Sequence, residues 1–544
     1  MNLADIAHKL AAQPWEGHTI TSVEHSKAED FSFVEQISAD PFMAAFDWVE
    51  WMRHVPPFLR VCVTVEAAPG SHFEFEVWLP VDDWNGRVVT IGNGGPAMGL
   101  IPPGLIAATQ ENYAAIHGNL GTGPDLDRGV DTPAVWADFG WRATHLMTVI
   151  GKQIVEIVYG AKPQYAYFYG CSTGGQQGVS AAENTPGDFD GIAALAPAIG
   201  RTYLHIYTLW NVVNLLREDG STVFSDAEVQ RLAGITRGFF RTRGDGAPSD
   251  EFVSNPYLGE GDCEEVLRLV GAIGEFTDEQ LNALSNVYRG PVNPRTGEQI
   301  FCGLPIGGEY HPLGLNYVAA PGYDVTSFYP VRWGLGFKYV DHDWRSFDFD
   351  ADVDSLRKLT RDLNADSAEL DAFRAHGGKM IMASGAMDTV CPEPTITNYY
   401  ERVVAKQGGL ARTRDFFRYF IVPGMHHGTR GSADGFDFLG PADAEIPTTA
   451  KFGMLWQGLF HAVVDWVENG SAPDVMMATG FNRTDTSPLF FGDPASGIRS
   501  QRPVYPYPDA TAYRGGDPTR PTSFARADGG LHNPPERAER YWPR

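Results

Sequence analysis

The amino-acid sequence predicts an α/β protein with a mainly parallel sheet and an inserted segment. Three observations carry that expectation. Short apolar strands alternate with helical stretches across residues 73–195, the pattern of strands joined by crossover helices. The alternation resumes at Gly377 and continues to about Glu468. Between the two stretches, loop signals are denser and helices are less clearly tied to strands. The expected organisation is a core formed by residues 1–200 and 371–544, with residues 201–370 inserted into it.

Taken in order, Phe73-Glu-Phe-Glu-Val77 alternates strictly, as a half-buried strand does. A turn at Asp83-Trp-Asn-Gly86 leads to a short apolar strand, Arg87-Val-Val-Thr-Ile91, and to the glycine-rich loop Gly92-Asn-Gly-Gly95-Pro96. A helix is predicted from about Trp141 to Tyr159. It leads into the aromatic strand Tyr165-Ala-Tyr-Phe-Tyr169, which stops at Gly170. A small-residue helix from about Gly175 to Glu183 and the strand Gly191-Ile-Ala-Ala-Leu195 follow. In the second stretch, strands are predicted at Gly377-Gly-Lys-Met-Ile-Met-Ala383 and from Phe416 to Val422. An amphipathic helix from about Met454 to Glu468 ends at Asn469-Gly470, a helix-stop signal. The acidic run Phe347-Asp-Phe-Asp-Ala-Asp-Val-Asp354 reads as a solvated strand or turn. The tail from Pro488, rich in Pro, Gly and Arg, is expected to wrap the surface.

Composition excludes several classes. With 42 Lys+Arg against 68 Asp+Glu, the net charge is −26. That charge disfavours nucleic-acid partners and docking on anionic lipid. The 32 Phe, 21 Tyr and 13 Trp are too many for a solvated coil. No run of about 18 apolar residues exists, so no transmembrane helix is predicted. The segment Met1 to Leu10 carries Asp5 and lacks an apolar core, so no secretory signal is read and a cytoplasmic location is expected. The five cysteines, Cys62, Cys171, Cys263, Cys302 and Cys391, are scattered and form no C-x-x-C pair. That argues against a zinc ribbon and a disulfide scaffold.

Gly170-Cys-Ser172-Thr-Gly174 fits G-x-S-x-G, the nucleophile elbow of α/β-hydrolases. A chain with 60 glycines can match so short a pattern by chance, and the context decides: an apolar strand precedes it and a small-residue helix follows. In that geometry the serine Oγ stands clear of the sheet, and the helix aims its first N–H groups at developing negative charge. The partners should follow in the order acid, then histidine. Asp388 lies in the loop after the strand Met380-Ile-Met-Ala383, and His427 in the loop after the strand ending at Val422. His427 would act as general base and then acid on Ser172, with Asp388 fixing its tautomer. His426 is adjacent, and only one of the two can face the serine. Asp388 also has a plain reading as a turn aspartate. Oxyanion donors are expected from the backbone N–H of Thr173 and from Gly94 or Gly95, since Pro96 has no N–H. The loop lacks G-x-G-x-x-G spacing, so no dinucleotide cofactor is expected.

These residues resemble the tannase/feruloyl esterase family. Its signature around the nucleophile is matched by Gly170-Cys-Ser-Thr-Gly-Gly-Gln-Gln-Gly178, and the likeness continues through Pro186-Gly-Asp-Phe-Asp-Gly-Ile192 and Ala196-Pro-Ala198. Upstream it covers Val77-Trp-Leu-Pro80, Trp84-Asn-Gly-Arg87 and Gly92-Asn-Gly-Gly95. Downstream it covers Phe373 to Lys379, Pro423-Gly-Met425 and Trp466 to Asp474. The resemblance implies an α/β-hydrolase core with a lid inserted before the acid, and hydrolysis of esters of phenolic or aromatic carboxylic acids.

The chain also departs from the family. Members pair a cysteine beside the nucleophile with one directly after the histidine. Here Cys171 is present but Gly428 follows His427, so that bridge cannot form. Leu59 and Val504 stand where other family cysteines are expected. The family's lid carries a calcium loop. The nearest stretch here, Arg243-Gly-Asp-Gly-Ala-Pro-Ser-Asp250, offers few oxygen ligands, and no metal is expected. Trp210, Phe239, Tyr257, Tyr310, Phe328, Tyr329 and Trp333 could line a pocket for an aromatic ring, although packing of the lid's own core is the commoner role. The leading expectation is a serine esterase acting on a small aromatic ester. The alternatives are an acyltransferase using the same residues, and a non-catalytic binding protein on this fold.

Overall fold

A computed structural model describes residues 3–26, 55–100, 102–243, 246–257, 259, 261–323, 327–337, 344–428, 431–432, 434–441, 453–482, 496–529 and 537–543. Its centre is a nine-stranded sheet. The strands in chain order are β1 (His18–Ser26), β2 (Phe58–Val65), β3 (Phe73–Pro80), β4 (Arg87–Ile91), β5 (Ala114–Gly118), β6 (Tyr165–Cys171), β7 (Gly191–Leu195), β8 (Lys379–Gly385) and β9 (Phe417–Val422). Their order across the sheet is β1-β2-β3-β5-β4-β6-β7-β8-β9. The first three pairings are antiparallel and the remaining five, from β5 to β9, are parallel.

The parallel strands are largely apolar and almost wholly buried because helices cover both faces. Every residue of β5 and β7 is buried. Helices Ala143–Tyr159 and Thr173–Asn184 make two of the crossovers, and Gly453–Asn469 packs on β7 and β8. Register sets the functional edge. Ile91 pairs with Tyr169, Cys171 with Leu195, Leu195 with Ala383, and Gly385 with Val422. The loops after β4, β6, β8 and β9 therefore leave the sheet at one edge, where open α/β sheets bind ligands.

The chain between β7 and β8 is largely helical, with Arg201–Leu215, Asp226–Thr242, Asp262–Ala272 and Asp278–Arg289 as its longer helices. Ser225 and Thr277 cap two of them with complete capping boxes. Of the strand and turn alternatives for the acidic run, the turn is the one found, and it opens the helix Ala351–Leu356. Asp348 accepts N–H bonds from Asp350 (2.8 Å) and Ala351 (3.3 Å), and Asp350 pairs with Arg295.

After β9 the chain adds a three-stranded sheet, β10 (Phe438–Pro441), β11 (Met476–Phe481) and β12 (Ile498–Val504), and a hairpin, β13 (Ala510–Tyr513) with β14 (Phe524–Ala527). Pro488 to Pro494 lies outside the described residues. The rest of the tail does more than wrap the surface, because two of its arginines are sealed inside. Arg502 is held by Asp250 and flanked by the rings of Phe252, Phe436 and Phe524. Arg537 is held by Asp366 and flanked by Tyr203 and Trp542.

Candidate active site

β6 ends at Cys171 and the next helix starts at Thr173, so Ser172 makes the whole turn. Its backbone lies at φ +63° and ψ −118°, which side-chain-bearing residues rarely adopt. The conformation is pinned from both sides: the Ser172 N–H donates to Leu195 O (2.9 Å), and the Ala198 N–H donates to Ser172 O (3.2 Å). Close chain approach explains the glycines. A Cβ on Gly170 would lie 2.5 Å from the Gly174 carbonyl carbon, one on Gly92 2.5 Å from Gly174 Cα, and one on Gly175 2.6 Å from Leu195 O.

Asp388 and His427 come together at the same edge. Asp388 Oδ2 accepts from His427 Nδ1 at 2.8 Å. Its Oδ1 accepts the N–H groups of Val390 (2.8 Å) and Cys391 (2.9 Å). Asp388 is fully buried, and the His427 side chain keeps 12 % exposure. The two loops are stitched together by the Met387 N–H donating to Met425 O (3.0 Å), and Gly385 is required because a Cβ there would sit 2.2 Å from His426 O. His426 faces away from this pair. It is fully buried, bonded through Nε2 to Thr389 Oγ1 (2.9 Å), and stacked on His311 at 3.8 Å between centroids. Burial holds its pKa well below the ordinary imidazole value, so it stays neutral.

The glycine loop after β4 is fixed against the elbow helix. The Asn93 N–H donates to Gln177 Oε1 (2.7 Å), and Asn93 O accepts the Gly174 N–H (2.7 Å). Gly94 O accepts the Ala97 N–H (3.1 Å). Gly95, at φ +51°, turns its carbonyl to Thr173 Oγ1 (2.6 Å) and to Arg201 Nη2 (3.0 Å). Thr173 opens the helix, where N–H groups lack intrahelical acceptors.

Sequence reasoning missed Arg201 and Cys391. A single arginine after Ala196-Pro-Ala-Ile-Gly200 carries no motif, and Cys391 is far from Ser172 in the chain. Burial raises the Cys391 thiol pKa far above the ordinary range, and the nearby Ser172 side chain offsets only a small part of that. Burial pushes Cys171 up to about 12. Both are therefore thiols at neutral pH and poor nucleophiles. All five cysteines are free.

Among the described residues, no group of three or more His, Cys, Asp or Glu side chains is arranged to hold a metal. In the stretch compared with a calcium loop, Gly244 and Asp245 lie outside the described residues. Asp250 spends both oxygens on Arg502, each at 2.8 Å. Of the candidate pocket aromatics, Phe239, Tyr257, Phe328, Tyr329 and Trp333 are buried, whereas Trp210 is half-buried and Tyr310 is 44 % exposed. The Tyr257 hydroxyl donates to Glu393 Oε1 (2.5 Å), the Trp210 indole to Asn286 O (2.8 Å), and the Trp333 indole to Leu126 O (2.6 Å).

A strained serine between strand and helix, on a mostly parallel sheet with loops gathered at one edge, defines an α/β-hydrolase. The comparisons narrow the class. Residues 59–327 and 331–527 match the family Tannase and feruloyl esterase, to which the chain belongs. An uncharacterised esterase of Xanthomonas campestris pv. campestris is 30 % identical over 503 residues, 85 % of this chain and 82 % of the relative. Feruloyl esterase B of Aspergillus niger is 29 % identical over 78 % of this chain and 80 % of its own length. Among solved structures, feruloyl esterase B from Aspergillus oryzae superposes with a TM-score of 0.77 at 20 % identity, covering 96 % of this chain and all of that one. Tannin acyl hydrolase from Aspergillus niger gives 0.68 at 16 % identity, covering 96 % and 95 %. The chain is a carboxylic-ester hydrolase of the feruloyl esterase and tannase type. Among the described residues, no helix is long and apolar enough to cross a membrane.

Proposed function

We propose that the chain hydrolyses a small aromatic ester, of a phenolic, hydroxycinnamic or benzoic-type acid, through an acyl-enzyme on Ser172. The supporting observation is the strained Ser172 at the sheet edge that also carries the Asp388–His427 hydrogen bond. With Nδ1–H committed to Asp388, His427 keeps Nε2 for the serine. Nε2 takes the Ser172 proton as Oγ attacks the ester carbonyl, and Asp388 stabilises the imidazolium. The oxyanion is received by the Thr173 N–H and by an N–H of Gly94 or Gly95. His427 then protonates the leaving alcohol, and water repeats the sequence to release the acid. Residues 201–370 act as the lid that selects the substrate. The aromatic class comes from the family, whose named relatives include feruloyl esterases. A cytoplasmic site of action accompanies this reading, so the substrate is an imported or internally made small ester rather than a polymer.

Hydrolysis of a panel of methyl and 2-hydroxyethyl esters tests the reading. The panel holds hydroxycinnamates, benzoates, gallate and a terephthalate monoester, with butyrate as aliphatic control. Preference for one aromatic series supports it. Preference for butyrate overturns the aromatic class. Transfer to an added alcohol in preference to water would make the enzyme an acyltransferase with the same residues.

A further inference from the structure

We propose that Arg201 is a positioning residue for this reaction. Its guanidinium latches the glycine loop and the segment between β7 and β8 to the nucleophile elbow, and it keeps a positive charge beside the atoms that receive the oxyanion. The inference rests on the esterase reading above.

Arg201 is 3 % exposed. Its Nη2 meets three elements at once: Gly95 O of the glycine loop (3.0 Å), Thr173 Oγ1 of the elbow helix (2.7 Å) and the Tyr329 hydroxyl of the inserted segment (2.9 Å). The Thr173 hydroxyl closes the circuit by donating to the same Gly95 oxygen (2.6 Å). The guanidinium lies over the rings of Phe139 (5.0 Å) and Tyr329 (6.0 Å). Every one of these partners is neutral, and Nε is buried without a partner among the described residues. The other sealed arginines differ. Arg502 and Arg537 are hydrogen-bonded to Asp250 and Asp366 respectively, and Arg332 has Asp127 at 3.5 Å.

A buried cation with no carboxylate in contact with it is costly, and a neutral side chain would fill the space at less expense. The charge therefore has a use that packing does not explain. The fields of Arg201 and of Asp388 both reach the Cys391 thiol, in opposite directions. Asp388 is committed to His427, so the negative charge left for Arg201 to meet is the one that forms on the tetrahedral intermediate. A fixed cation in a water-poor site stabilises such a charge without reorganising. The Tyr329 hydrogen bond adds a mechanical link, so the seating of the inserted segment is felt by the glycine loop.

The test compares kcat, KM and thermal midpoint for Arg201→Met, Arg201→Lys, Thr173→Val and Tyr329→Phe on any ester that the unaltered enzyme turns over. Arg201→Met is expected to lower kcat by about 30- to 300-fold, with KM within about threefold, as loss of an oxyanion contact does. Arg201→Lys recovers about tenfold of that loss because the charge returns, and Tyr329→Phe costs only a few-fold because it removes one link. Thr173→Val matches most of the Arg201→Met loss, and the double variant is no worse than either alone. A folded Arg201→Met with unaltered kcat, or an effect confined to KM, overturns the latch. If Arg201→Met does not fold, folded Arg201→Lys and Thr173→Val enzymes that both keep full kcat overturn it. Ser172→Ala separates the two levels: full activity in Ser172→Ala defeats the esterase reading itself, whereas an inactive Ser172→Ala beside a fully active Arg201→Met defeats the latch alone.

Discussion

His426 and His427 are chain neighbours with opposite surroundings. His427 gives its Nδ1–H to Asp388 at 2.8 Å and keeps a partly exposed ring. His426 is sealed between Thr389 and His311 and is held neutral by burial. Gly424 (φ +62°) and Gly428 (φ +66°) bracket the pair with left-handed backbone.

The two histidines should therefore respond differently to truncation. His427→Ala is expected to lower kcat by at least about 1,000-fold with little change in thermal midpoint. His426→Ala should keep kcat within about tenfold while lowering stability by about 1–3 kcal/mol, the cost of a lost buried hydrogen bond and stack. Steady-state kinetics and calorimetry on both variants check this. The reverse pattern would exchange their roles.

Gly92→Ala tests the elbow by sterics alone. The new Cβ would lie 2.5 Å from Gly174 Cα and 3.0 Å from Phe168 Cζ, against backbone that cannot give way. Fluorophosphonate labelling of Ser172 should fall by about 100-fold or more in any folded Gly92→Ala protein, since an ångström of misplacement has that effect. Labelling at the unaltered rate would mean that the loop has room to relax.

Glu393 makes stability depend on pH. The side chain is fully buried, Oε1 accepts from Tyr257 and Tyr419, and among the described residues no cation pairs with it. Burial pushes its pKa up to about 7. The folded state thus holds a proton that the unfolded chain releases above its ordinary value of 4.5. Its contribution is complete below pH 4.5 and is lost as pH rises through about 7. Glu393→Gln should leave stability at pH 4.5 nearly unchanged and raise it at pH 8 by on the order of 3 kcal/mol. Thermal midpoints across that range check it, and a variant whose advantage shrinks with rising pH contradicts it. The buried His117, His205 and His426, with lowered pKa values, act in the other direction, removing stability as pH falls below 6.5.

Arg502 and Asp250 form a sealed pair that ties β12 to the segment between β7 and β8 through two 2.8 Å hydrogen bonds. Arg502→Leu leaves Asp250 buried without a partner, so it should cost about 3–5 kcal/mol. Adding Asp250→Leu should recover most of that loss. Added calcium should shift the thermal midpoint of neither the unaltered chain nor the double variant. A double variant as unstable as Arg502→Leu would mean that the pair is worth more than its desolvation.

Much of the core can be read directly in the sequence. The strands at Arg87–Ile91 and Gly191–Leu195 coincide with their apolar runs, because buried parallel strands need little else. The family could be read as well, because the elbow glycines are fixed by backbone contact and cannot drift. β1, β2 and β5 were not legible. β5 is five buried residues with no alternation, and β1 is an exposed edge whose burial is irregular. Asp388 and His427 could be placed by chain order, since each follows a recognisable strand. Arg201 could not, because its partners are a backbone carbonyl and two hydroxyls brought together only by the fold.

The central claim, an acyl-enzyme on Ser172, is tested most directly by mass spectrometry of enzyme acid-quenched during turnover of an activated aromatic ester such as a p-nitrophenyl hydroxycinnamate. The account predicts one acyl group per chain, carried on the peptide that contains Ser172 and absent from Ser172→Ala, which should show no turnover. Turnover that persists in Ser172→Ala, or an acyl group on any other residue, would contradict it.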